Sequence, residues 1–170
     1  MKYDMLDFDL GSHSFKVSTA SPDAQRLFDQ GINWCFGFNQ EEGLACFKAA
    51  LAFDPECAML HWGIAYAAGP FYNMPWGDFC EDEAKECTAF CRTAIDQAQK
   101  LSDASSPMEQ ALIKALSQRV QKGSICPQAE FDSWDDAYAD AMRQVNVHFP
   151  DNQDVMALFI EAMMTRTPWN

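Results

Sequence analysis

The sequence predicts an all-α chain of about seven helices, and three observations carry that prediction. Apolar residues recur near a 3.6-residue period in successive segments, as on helices that bury one face. Helix starts and stops are punctuated by capping residues, glycine and proline. No segment shows the two-residue alternation of a half-buried strand.

Residues 1 to 20 lack a helical period. Phe8, Leu10, Phe15 and Val17 are separated by polar residues, Gly11 and Ser12, which reads as an extended arm lying on a helical body that spans 21 to 170. The first helix opens with Ser21 as N-cap and Pro22 as first helical residue. It continues through Ala24, Leu27, Phe28, Ile32, Cys35 and Phe36. Asn39 followed three residues later by Glu42 reads as a capping box for the second helix, which carries Leu44, Phe47 and Leu51 and stops at Asp54-Pro55. A third helix is expected over Cys57 to Ala68, with Gly69-Pro70 ending it. The segment from Gly69 to Gly77 contains Pro70 and Pro75 and reads as a loop. A long fourth helix runs from about Cys80 to Leu101. The fifth spans Met108 to Val120 behind the capped start Ser106-Pro107-Met108-Glu109. Residues 121 to 130 form a second loop, a sixth helix covers Phe131 to Val147, and the last runs from Val155 to Met164.

Composition narrows the function classes. At 170 residues one domain with a substantial core is expected. Hydrophobic residues at 48% and charged residues at 22% are ordinary for a globular protein. Twelve basic residues against 25 acidic ones give a net charge of −13. Nucleic acids and anionic membranes are bound through clustered Lys and Arg, and no such cluster is present, so neither is an expected partner. Seven cysteines are many. Cys35, Cys46, Cys57, Cys87 and Cys91 fall inside helical patterns, where cysteine behaves as a small apolar residue. The opening Met1 to Leu10 carries three aspartates and no apolar run, so reduced thiols and a cytoplasmic location are expected.

Leu27-x2-Gln30-Gly31-x2-Trp34, then Gly43-x3-Phe47, then Pro55, lies close to the signature of a two-helix repeat. On these residues the chain resembles the tetratricopeptide repeat family. It is more specifically similar to a group of bacterial repeat proteins through Leu10-Gly11-Ser12-His13, Phe28-Asp29-Gln30-Gly31, Phe38-Asn39, Asp54-Pro55-Glu56-Cys57-Ala58-Met59 and Trp62-Gly63-Ile64-Ala65. Weaker matches follow at Tyr138-Ala139, Met142-Arg143, Phe149-Pro150-Asp151 and Pro168-Trp169. The resemblance implies a right-handed superhelix of antiparallel helix pairs whose inner face binds another chain. It implies no activity.

The expected function is therefore a non-enzymatic scaffold for a protein or peptide, without cofactor. The inner stripe of Phe28, Ile32, Cys35, Phe36, Met59, Trp62 and Tyr66 is the candidate peptide-binding face, with Phe71, Tyr72 and Trp76 as a lip over it. The competing reading is that the stripe is core or is covered by the chain's own arm. Two alternatives stand beside the scaffold. Cys57 and His61 share a helix face and, with His13 from the arm, could hold copper or zinc. The apolar stretch 155–164, through Met156, Leu158, Phe159, Ile160, Met163 and Met164, could pair with a second copy. Cys80, Cys87 and Cys91 share a face with Ala84, Ala94 and Ala98, a small-residue stripe suited to close helix approach.

Overall fold

The computed structural model describes residues 8–167; the expectations for residues 1–7 of the arm and for the closing Pro168-Trp169 fall outside these. Seven α-helices are present among the described residues: α1 Pro22–Phe36, α2 Gln40–Ala50, α3 Ala58–Ala68, α4 Glu81–Leu101, α5 Pro107–Arg119, α6 Gln128–His148 and α7 Gln153–Thr165. Short 3-10 turns at Trp76–Asp78 and Ser102–Ala104 punctuate the connections on either side of α4. Each helix packs on its chain neighbours, and α3 also touches α1 and α5. No described helix is long and apolar enough to cross a membrane.

The caps explain most boundaries. The Ser21 side chain accepts from the Ala24 N–H at 3.2 Å, and Asn152 accepts from the Val155 N–H at 2.9 Å. Ser106 and Glu109 cap α5 reciprocally: Glu109 Oε2 accepts from the Ser106 N–H at 2.6 Å, and Ser106 Oγ from the Glu109 N–H at 3.4 Å. At α2 only half of the expected box forms. Asn39 accepts from the Glu42 N–H, but its own N–H is taken by the Trp34 carbonyl at 2.9 Å, so Glu42 has no donor to reach back to. The sixth helix starts earlier than its apolar period suggests, at Gln128 behind Pro127. The Pro127 carbonyl accepts from Glu130 and Phe131, and a Gln128–Asp132 hydrogen bond at 2.8 Å supports this polar first turn.

Close packing in the first three helices rests on glycine. A Cβ on Gly31 would stand 2.6 Å from the Phe47 ring, and one on Gly63 would stand 2.7 Å from it. A Cβ on Gly43 would meet Cys35 Sγ at 2.5 Å. Phe47, on α2, therefore fits between α1 and α3 only because both present bare backbone. The small-residue face of α4 performs a related task. Ala84, Cys91, Ala94 and Ala98 are buried, and the thiols of Cys87 and Cys91 lie 3.3 and 3.6 Å from the carbonyls of Ala68 and Ala65 at the end of α3.

The arm is strapped across the helix ends by side-chain acceptors. Asp29 takes the Phe15 N–H at 3.1 Å and Gln25 takes the Val17 N–H at 3.0 Å. Glu109 takes the Ser18 N–H at 2.6 Å and also its hydroxyl, tying the arm into the α5 capping box. The Thr19 hydroxyl donates to Asp54 at 2.6 Å, and His13 meets Asp154 of α7 at 2.9 Å. Phe15 and Val17 are buried by this route.

Candidate functional site

The predicted inner stripe is interior. Phe28, Ile32, Cys35, Met59, Trp62 and Tyr66 are all buried, and only Phe36 is half-exposed. The cause is the chain itself. Phe15 from the arm packs edge-on against Phe28 at 5.8 Å, Phe47 packs its other side at 5.3 Å, and His13 lies 6.1 Å from the Phe36 ring. The stripe is thus core in this fold, and no open groove runs along it. The predicted lip divides. Trp76 is buried, stacked at 4.3 Å on Phe131 of α6 and edge-on to Trp134 at 6.1 Å, so it fills a gap between the loop and α6. Phe71 is half-buried and paired through both backbone groups to Met74; Tyr72 is half-buried.

The open apolar surface lies elsewhere, between α2 and α4. A groove of about 1020 Å³ runs there, walled by Phe38, Leu44, Phe71, Met74, Phe79 and Phe90. Phe38 is 50% exposed and Phe90 41% exposed, both large values for phenylalanine. Glu41, Glu83 and Glu86 line the rim. The basic residue in the groove, Lys48, sits with its ammonium 4.8 Å from the Phe90 ring centre. Phe38 is also the described non-glycine residue with positive φ, 62°. Left-handed backbone costs a side-chain-bearing residue about 1 kcal/mol, and such strain is characteristically held at functional positions. Here it sets an aromatic ring at the groove mouth.

A second constellation is polar and interior. Arg119, the last residue of α5, is 1% exposed. Its guanidinium lies 5.4 Å from the ring centres of both Tyr66 and Tyr138, and its Nη2 donates to the Tyr66 carbonyl at 3.3 Å. Tyr66 is stacked flat on Trp62 at 5.0 Å. Asp135 from α6 and Glu161 from α7 contribute carboxyl groups to the same interior. Burial pushes Asp135 up to about 7, eased by the field of Arg119. Burial likewise raises Glu161, against the opposing pull of Arg119 and a Thr165 hydrogen bond. For Arg119 burial is the largest influence and works against the charge, but Glu161, Tyr138, Tyr66 and Cys91 together outweigh it, so the guanidinium is held above its ordinary value.

Sequence reasoning names Trp62 and Tyr66 but misses Arg119, Asp135, Tyr138 and Glu161. A signal exists: Arg119 continues the inward series Leu112, Ala115, Leu116, and Glu161 sits between Leu158 and Ala162. A charge in the apolar register of a helix marks a buried ion.

The proposed metal ligands are not gathered. His61 Nε2 is 2.9 Å from the Pro55 carbonyl, His13 is engaged with Asp154, and Cys57 is buried at the start of α3. Among the described residues no group of three or more His, Cys, Asp or Glu is placed to hold a metal ion. On α7, Met156, Ile160 and Met164 are exposed along one stripe. Comparison with known proteins returns no matching family model, no matching curated protein and no matching solved structure.

Proposed function

We propose that this chain is a non-enzymatic, tetratricopeptide-like scaffold that holds an amphipathic segment of a partner protein in the groove between α2 and α4. The observation that carries the reading is the apolar wall in which exposed Phe38 and Phe90 stand with half-buried Phe71, Met74 and Phe79 inside an acidic rim. Monomers seldom expose aromatic patches of this kind without use, and a helix or strand lying in a groove supplies apolar anchors at regular spacing. The rim carboxylates and the net charge of −13 favour a segment whose polar side is basic. The right-handed superhelix and the cytoplasmic location belong to this same reading. The binding face moves from the inner stripe to the groove because the arm and Phe47 already occupy the stripe.

The test is fluorescence polarisation with a labelled 14-residue Leu/Lys amphipathic peptide and its Leu/Glu counterpart. The Leu/Lys peptide binds, the Leu/Glu peptide does not, and added salt weakens the complex. Replacing Phe90 and Phe38 together with serine weakens binding at least tenfold. Equal binding of both peptides, or no effect of the double substitution on a folded protein, removes the groove reading.

A second reading is favoured by the exposed stripe of Met156, Ile160 and Met164, which suits pairing of two copies through residues 155–164. Light scattering across a hundredfold concentration range tests it: mass rising towards twice that of the chain supports pairing, and a constant mass of one chain excludes it.

A further inference from the structure

The C-terminal half encloses a cation with no carboxylate at ion-pairing distance among the described residues. Arg119 donates through Nη2 to the Tyr66 carbonyl, while Nε and Nη1 have no partner among the described residues. The Tyr138 hydroxyl lies beside the guanidinium, which holds it by a hydrogen bond, and the indole N–H of Trp62, one turn before Tyr66, is buried without a partner among the described residues. Across the interior, Glu161 receives the Thr165 hydroxyl at 3.0 Å through one oxygen and leaves Oε2 unpartnered; Asp135 leaves Oδ1 unpartnered. A buried polar atom without a partner is costly, and a buried charge without contact neutralisation costs more. Such atoms come from α3, α5, α6 and α7, and the carboxyl groups of Glu161 and Asp135 lie within the field of the same guanidinium. Packing alone does not explain that arrangement, since replacing them with apolar side chains of like shape is the cheaper way to build a core.

We infer that this cluster is a binding site for a small carboxylate that carries an α-amino or α-hydroxyl group. The unmatched atoms divide into donors around Arg119 and acceptors on Glu161 and Asp135, so a fitting molecule has an anionic acceptor end and a donor end. A carboxylate offers about four lone-pair sites where a single water offers two, and its bonds to a guanidinium are charge-assisted. The adjoining amine or hydroxyl donates to Glu161 Oε2. The rings of Tyr66 and Tyr138 keep bulk water from the guanidinium and so strengthen each bond. Glu161 is only half-buried as a residue, although its Oε2 is closed off from solvent. This site is separate from the groove, and neither reading depends on the other.

The test uses the 170-residue chain, dialysed free of carboxylate buffers, with glycine, glycolate, acetate and methylammonium chloride as probes. Thermal melts and calorimetric titration show saturable stabilisation by glycine or glycolate, at least fivefold weaker binding of acetate and none of methylammonium. The ranking of glycine against glycolate separates amine from hydroxyl. R119M lowers the affinity at least tenfold, and E161Q removes the preference over acetate. Should R119M not fold, the wild-type chain still decides: the Nε–H resonance of Arg119 shifts saturably with the binding probe. Absence of any saturable shift with all four probes overturns the inference, as does wild-type affinity in folded R119M.

Discussion

Around Phe47 the molecule is closed by omission: Gly31 and Gly63 withhold side chains so that one ring can lie against the backbones of α1 and α3. Around Arg119 it is filled by the opposite kind of residue, with a guanidinium, two phenols and two carboxyl groups enclosed where aliphatic side chains would pack more cheaply. Both regions are buried and both sit where consecutive helices meet. The first has every feature of a packing solution and no unmet chemistry. The second leaves polar atoms on four helices without partners. The difference separates the part of the chain that holds the fold from the part with capacity to recognise something.

The largest expected effect breaks the first region. Phe47→Ala removes a fully buried ring between two glycines and costs about 4 kcal/mol in urea denaturation. Gly63→Ala in the wild-type background costs about 2 kcal/mol through overpacking. That cost shrinks in the Phe47→Ala background, because the clash partner is gone. Additive costs from the two substitutions would show that Gly63 does not act through Phe47.

Next in size is the pH response of the second region. Asp135 titrates at about 7 in the fold against 3.8 when free, so the native state binds its proton more tightly than the unfolded chain. The sign follows directly: this stability is fully present below about pH 4, is lost as pH rises through 7, and is level above that. The span is on the order of 4 kcal/mol. Glu161 and Asp154, also raised chiefly by burial, act in the same direction. Asp135→Asn flattens the stability profile between pH 4 and 7 and raises the melting temperature at pH 8. A profile as steep in the variant as in the wild type would assign the slope to other groups.

The smallest effect concerns the groove. Phe38→Gly relieves the left-handed backbone at φ 62° and stabilises the fold by up to about 1 kcal/mol, while weakening capture of the Leu/Lys peptide. Gain of stability together with loss of binding marks a residue kept for recognition. Loss of both would make Phe38 a structural contact.

Much of the architecture is legible in local residues. Ser21-Pro22, Ser106-Pro107-x-Glu109 and Asn152 define helix starts by chemistry that acts within four residues. Leu27, Phe28 and Ile32 declare an inward face by their period, and Glu41, Glu42, Glu81, Asp82 and Glu83 do fall in first turns, where they complement the helix dipole. The inner stripe illustrates the limit. Phe28, Trp62 and Tyr66 have the same period whether they face a partner or the core; Phe15 and Phe47 close the surface at Phe28, and Arg119 closes it at Tyr66. Trp76 shows the same ambiguity in a loop, resolved by Phe131 more than fifty residues away.

The sequence by itself determined that this protein is helical, where most of its helices begin and end and that its surface is acidic, because capping, periodicity and charge act over one or two turns. Only the tertiary structure decided that the predicted binding stripe is buried, with the arm over its Phe28 end, that the open aromatic surface lies between α2 and α4, and that Arg119, Asp135, Tyr138 and Glu161 share one interior. Those outcomes depend on which faces meet across tens of residues, and a face has no identity until its neighbour is in place.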